Sequence, residues 1–182
     1  DNGHVTDEQL TAFGAIISRV VDRFGDRVAL WEILNEPNGH GISGEEYSKV
    51  LAQVSPILRT NQNLGVLGGC LVHVFSGDLF EATLADHAQY DGWSYHPYRF
   101  GIRDPSANNR YTHSFMHLLT IVQEAKASHD NTKPIYITEE GEWDEIEAPS
   151  RDWTHDHFER EHANYTAVMY LTALGEGVKL YN

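Results

Sequence analysis

The sequence predicts an α/β fold built on a parallel sheet, and three observations carry the prediction. Apolar runs of strand length alternate without exception with longer stretches whose apolar residues recur at helical spacing. Such alternation implies parallel strands joined by helical crossovers. Two of the runs are halted by a proline at a polar end, which turns that end of the sheet into a rim of loops. At 182 residues the chain has the length of one domain and can bury a substantial core. Two architectures fit: a doubly wound sheet of five strands, or part of a barrel, since a complete (β/α)8 barrel takes roughly 250 residues.

Taken in order, Thr6-Asp7-Glu8-Gln9 is a capping box, and Leu10, Phe13, Ile17, Val20 and Phe24 follow at helical spacing before Gly25. Val28 to Leu34 reads as a buried strand that Asn35-Glu36-Pro37-Asn38 cannot continue. Pro37 has no N–H and constrains its predecessor, so Glu36 falls at the strand's C-terminal rim. After a loop from Asn38 to Gly41, Ser43 to Glu46 forms a second capping box. Tyr47, Val50, Leu51 and Val54 make the apolar stripe of its helix, which Pro56 is expected to kink or divide. Leu64 to Cys70 is the second strand, in which Gly68 and Gly69 leave room for a ligand to approach.

Ser76 is read as the cap of a short helix carrying Leu79, Phe80 and Leu84. Asp91 to Tyr98 is a third strand, stopped by Pro97. A long loop from Arg99 to Tyr111 leads to a helix with Phe115, Leu118, Leu119, Val122 and Ala125. Pro134 to Thr138 is the fourth strand and delivers Glu139-Glu140-Gly141. A polar loop bearing Trp143 and Trp153 follows, then a helix from about Asp156 to Leu174. Gly175 and Gly177 end it, and Val178 to Tyr181 begins a fifth strand. The chain opens on Asp1 rather than Met, and its last residues look like a strand cut short, so a piece of a longer protein is expected.

The net charge of −14 argues against nucleic acid or an anionic membrane surface as partner and suits a neutral or cationic substrate. Cys70 is the only cysteine, which excludes an intrachain disulfide. No apolar run reaches the ~18 residues of a spanning helix. The stretch Thr154 to His162 holds histidines and carboxylates, the side chains that ligate metals. Its Asp156-x-x-Glu159 is better explained as a capping box, and its His-x-His spacing splits the two rings between helix faces, so no metal is expected there.

Chemistry is expected of Glu36 and Glu139, each at the end of a buried strand. Two carboxyl groups held roughly 5–5.5 Å apart are what a retaining glycosidase needs. Spacing in the sequence leaves that open against two ordinary loop carboxylates. A resemblance goes further. Trp31 to Asn38 reads W-E-I-x-N-E-P-N and resembles the fourth-strand motif of the clan A retaining glycoside hydrolases. Ile137 to Gly141 resembles that clan's I-T-E-x-G nucleophile motif, and His96 with Tyr98 resembles its H-x-Y pair. Within the clan, the chain is most similar to family 39 and to the cellulase-like family 5.

That resemblance implies an incomplete (β/α)8 TIM barrel of about five βα units, the fourth to the eighth, with the first three strands missing. Residues 1–182 would be a single partial catalytic domain. The implied activity is retaining O-glycoside hydrolysis of an oligo- or polysaccharide by double displacement, with Glu36 as acid/base and Glu139 as nucleophile. Glu139 must be charged to attack, and its charge favours the proton that Glu36 must carry at the start. Asn35 would reach the substrate 2-hydroxyl, His96 would orient the carboxylates or hold substrate, and Tyr98 would donate to Glu139. Trp143 and Trp153 would stack on sugar rings. The implied partner is a carbohydrate, with neither metal nor organic cofactor, and a secreted or periplasmic location is favoured because polysaccharides lie mostly outside cells. The alternative is a catalytically silent carbohydrate-binding or structural fragment. Leu34 stands where relatives often carry Trp, and neither the basic residue near the nucleophile nor the Trp after the eighth strand has a counterpart here.

Overall fold

The structure is a computed structural model that describes residues 4–60, 65–72, 77–98, 115–140, 163, 166, 167 and 169–179. Helix α1 (Asp7–Phe24) starts as expected, with Thr6 Oγ1 accepting from Gln9 N–H and the Gln9 side chain accepting from Thr6 N–H. Strand β1 (Leu30–Glu32) follows, then α2 (Gly44–Leu58), opened by the Ser43–Glu46 capping box. The remaining elements are β2 (Gly65–Val72), α3 (Asp78–Ala85), β3 (Gly92–His96), α4 (Phe115–Ser128) and β4 (Ile135–Ile137).

All pairings are parallel, in the order β1-β2-β3-β4. A doubly wound sheet reverses its strand order at a switch point. These strands do not reverse, so that alternative falls. Right-handed crossovers onto a sheet that grows in one direction put every helix on the same face. Accordingly α1 packs on α2, α2 on α3 and α3 on α4.

The register sorts the side chains into two faces. Trp93, Tyr95, Ile135 and Ile137 join Leu51, Val54, Leu58 and Leu84 in the apolar core between sheet and helices. The opposite face carries Glu32, Leu67, Gly92, Ser94, His96, Tyr136 and Thr138, which the pairings bring side by side. Gly92 is required on that face because a Cβ there would stand 2.3 Å from the Tyr136 ring. This second face, inner in a barrel, is where ionisable groups collect.

Several expectations need correction. Pro56 does not divide α2, which runs on to Leu58. It lies in the final turn, where its missing N–H costs the helix only one late hydrogen bond. The N-cap of α3 is Gly77 with φ 97° and no side-chain cap, not Ser76. The room at Gly68 and Gly69 is not for a ligand. A Cβ at Gly68 would meet the Tyr90 ring at 2.4 Å, and one at Gly69 would meet Ser94 O at 2.5 Å and Trp93 Nε1 at 2.7 Å. Core aromatic rings fill that space. The segment after Glu36 is not an irregular loop but a 3₁₀ turn (Pro37–His40). Toward the C-terminus, residues 169–175 are helical, and of the expected fifth strand from Val178 to Tyr181 the last two residues lie outside the described ones. Lys179 N–H does donate to Ile135 O at 3.0 Å, which brings the chain to the free edge of β4.

Candidate active site

Glu36 owes its position to an interrupted strand. Ladder pairing of β1 continues to Ile33, whose N–H donates to Leu67 O at 3.1 Å. Leu34 then turns left-handed (φ 65°), as does Glu36 (φ 48°). Residues with a Cβ pay about 1–3 kcal/mol each for such backbone, a cost that gathers at functional positions. The detour ends where Glu36 N–H donates to Cys70 O at 3.0 Å. Cys70 is free to accept because β2 bulges there. The register slips between Gly69 and Leu71, and Cys70 itself is left-handed at φ 55°.

Two further contacts hold the arrangement. Asn38 Nδ2 donates to Val72 O at 2.5 Å and its Oδ1 accepts from Val72 N–H at 3.1 Å, a side chain imitating a strand partner. On the helix side, the buried Tyr47 hydroxyl donates to Ile33 O and accepts from Gly69 N–H, clipping β1 to β2.

Glu139 leaves the end of β4, and His96 ends β3 between the two carboxylates. His96 Nδ1 lies 3.0 Å from Glu36 Oε1 and 3.8 Å from Glu139 Oε2. The Tyr98 hydroxyl donates to Glu139 Oε2 at 2.8 Å. The His96 side chain is fully buried, while those of Glu36 and Glu139 are 26% and 39% exposed. A substrate can therefore reach the carboxylates but not the ring behind them. Burial alone would lower the pKa of His96, but the surrounding Glu32, Glu36 and Glu139 carboxylates reverse the sign and raise it. Burial and then Glu139 push the Tyr98 phenol well up, so it stays a donor.

Of the expected site residues, Glu36, His96, Tyr98 and Glu139 are brought together. Asn35 is exposed on the rim beside Glu36. Trp143, Trp153 and the stretch from Thr154 to His162 lie outside the described residues. Glu32 and Thr138 were missed. Thr138 Oγ1 donates to Glu32 Oε1 at 2.6 Å and lies 3.1 Å from His96 Nε2. The signal for Glu32 was available, since a carboxylate inside an apolar run is costly unless paired. Burial would raise its pKa, but His96, Ser94 and Thr138 lower it on balance. Cys70 is buried near Ser94 Oγ, and burial raises its thiol pKa far above the ordinary value, so it is inert.

Atoms of Glu36, His96 and Glu139 lie within 4.8 Å of one another, a spacing at which three donors can surround a cation. His96 Nδ1 and Glu36 Oε1 are already within hydrogen-bond distance of each other. A separate cleft of about 560 Å³ lies between α1 and the start of α2, lined by Phe13, Leu34, His40, Ile42 and Val50. It is mostly apolar and holds none of these carboxylates.

Comparison with solved structures defines the class of fold: it is that of an incomplete (β/α)8 barrel, of which the four described strands form a continuous stretch of wall. The chain is similar to a family 39 glycoside hydrolase from the gut symbiont Bacteroides cellulosilyticus WH2, with TM-score 0.64 and 22% identity over 92% of this chain and 35% of that one. It is also similar to a glucosidase from Croceicoccus marinus, with TM-score 0.64 and 17% identity over 94% of this chain and 36% of that one. The chain thus spans about a third of the length of either. The sequence matches no protein-family model and no curated protein sequence. Among the described residues, no helix is long and apolar enough to cross a membrane.

Proposed function

We propose that this chain is the acid/base- and nucleophile-bearing part of a retaining O-glycoside hydrolase acting on an oligo- or polysaccharide. One observation carries the reading: Glu36 and Glu139, from separate strand ends, present oxygens within 4.8 Å of each other. Such closeness supports the retaining geometry, whose carboxyls stand roughly 5–5.5 Å apart, over the inverting one at roughly 6.5–9.5 Å. Tyr98, donating to Glu139, favours the charged nucleophile.

In the first step a Glu139 oxygen bonds to the anomeric carbon, the glycosidic C–O bond breaks, and the Glu36 proton passes to the leaving oxygen. In the second, water bonds to that carbon, its proton returns to Glu36, and the Glu139 ester bond breaks. Asn35 is assigned to the substrate 2-hydroxyl.

The test is turnover of aryl glycosides with activated leaving groups, followed by azide rescue. Glu139→Ala should lose hydrolysis, and azide should restore cleavage by attacking from the vacated side, giving a glycosyl azide of inverted configuration. Turnover that Glu139→Ala leaves untouched would sink the reading. A second reading, a silent sugar-binding section, is favoured by the chain spanning only about a third of its structural neighbours. Saturable oligosaccharide binding without turnover of any activated glycoside would select it.

A further inference from the structure

Beneath the two rim carboxylates lies a third, Glu32, and the hydrogens of its network can be assigned. Glu32 is held charged by its neighbours, and an ionised carboxylate only accepts. The hydrogen in the 2.6 Å contact is therefore the Thr138 hydroxyl's single one. Thr138 Oγ1 then offers His96 Nε2, 3.1 Å away, nothing but lone pairs. Nε2 must carry a hydrogen. Glu32 itself is 3.7 Å from Nε2, too far to bond it directly, so Thr138 is the link.

The consequence falls on the opposite ring nitrogen. In a neutral imidazole protonated at Nε2, Nδ1 is a bare lone pair. It faces Glu36 Oε1 at 3.0 Å, a contact that repels unless one proton lies between them. We propose that Glu32, acting through Thr138, is a positioning residue that fixes His96 as the Nε2–H tautomer and so commits the Glu36–His96 pair to holding one shared proton. The value of that proton to catalysis rests on the glycosidase reading above. When Glu36 passes it to a leaving group, two lone pairs are left facing each other, which draws a proton back from the attacking water.

Among the described residues, Glu139 and Tyr98 face the pair at the rim, Glu140 stands near Tyr98, and Ser94 with the neutral Cys70 thiol adjoins Glu32 instead. None of them contacts Nε2 as Thr138 does.

The test reads the ring nitrogens by ¹⁵N NMR in the labelled chain, with His96→Asn identifying the His96 signals. Once neutral, His96 should show a protonated Nε2 and a bare Nδ1. Thr138→Val, and separately Glu32→Met, should abolish that preference, while Thr138→Ser should keep it. A neutral wild-type ring protonated at Nδ1 overturns the proposal, as does an unchanged tautomer in both disruptive variants. Should one variant fail to fold, the wild-type spectrum and the other variant still decide. Where turnover is measurable, Thr138→Val should move the alkaline limb of kcat/KM down by about one pH unit and Thr138→Ser should not. The spectra need no substrate. Absent turnover with the expected tautomer would count against the hydrolase reading alone.

Discussion

Among the described residues, a polar network sits at each end of the sheet, and the two differ in what they leave undone. At the N-terminal end, Asn131 uses its whole amide. Nδ2 donates to Leu84 O and the Tyr90 hydroxyl, and Oδ1 accepts from Lys126 Nζ and Lys133 N–H. Tyr90 in turn donates to Thr83 O, and Trp93 Nε1 donates to Thr83 Oγ1. At the C-terminal end, three carboxylates surround one imidazole. Among the described residues, Glu36 and Glu139 each spend a single oxygen inside that cluster. The first network is closed and locks α3, α4 and β3 together. The second keeps acceptor capacity and charge pointed outward, which is costly for stability and useful only toward a ligand. Burial of polar groups alone does not distinguish a site from a staple, but unspent capacity does.

The largest effect that would test this contrast is at Glu36. Glu36→Gln should cut turnover of glycosides with poor leaving groups by about 10²–10⁴-fold, with a much smaller loss for activated aryl leaving groups that need no proton. Its melting temperature should hold or rise, because one of three crowded carboxylates is gone. Steady-state kinetics across a leaving-group series, beside a melting curve, checks both. The mirror experiment is Asn131→Ala, which leaves Lys126 Nζ with Lys133 O but without its amide acceptor and takes partners from the Leu84 carbonyl and the Tyr90 hydroxyl. It should cost about 2–4 kcal/mol in denaturant unfolding and leave the His96 ring signals unmoved. If Asn131→Ala disturbed His96 as much as Glu36→Gln does, the two networks would not be separate devices.

How much of this could be read beforehand depends on the range of the interaction. Both capping boxes were legible because their partners sit three residues apart. The strand ends were legible because Pro37 and Pro97 act locally, and the Glu36–Glu139 pair was legible through its flanking motifs. The bulge at Cys70 was not, since it depends on which residues of β3 lie opposite. Gly68 and Gly69 misled for the same reason: a glycine announces space but not its occupant, here Tyr90 and Trp93. The role of Asn131 was not legible either, because Leu84 and Tyr90, which share its amide, lie more than forty residues away. Glu32 stood inside the recognised motif, but its hydrogen-bond partner Thr138 lies across the sheet, 106 residues away.

The smallest effect expected is in the pH dependence of stability, where the two networks should move in opposite directions. The His96 pKa is raised above its ordinary 6.5, so the folded state holds the proton more tightly than the unfolded chain. Its contribution is complete below about pH 6.5 and is lost as pH rises through the folded value. Glu32 is lowered from 4.5, so its contribution is present above that value and lost as pH falls through the folded one. Both are in force between those limits. Lys126 behaves otherwise. Burial first, then Lys133, lowers it from 10.5 to about 8, so between these values the unfolded chain binds more protons and stability rises with pH. Denaturant unfolding from pH 5 to 10 should therefore show the gap between wild type and His96→Asn closing above pH 6.5, by about 1 kcal/mol or less because solvent reaches the rim. The gap between wild type and Lys126→Met should instead shift in favour of wild type from pH 8 upward. Parallel curves for the two variants would mean that His96 and Lys126 sit in electrostatically similar surroundings, and the distinction between an open site and a closed staple would fail on its charges.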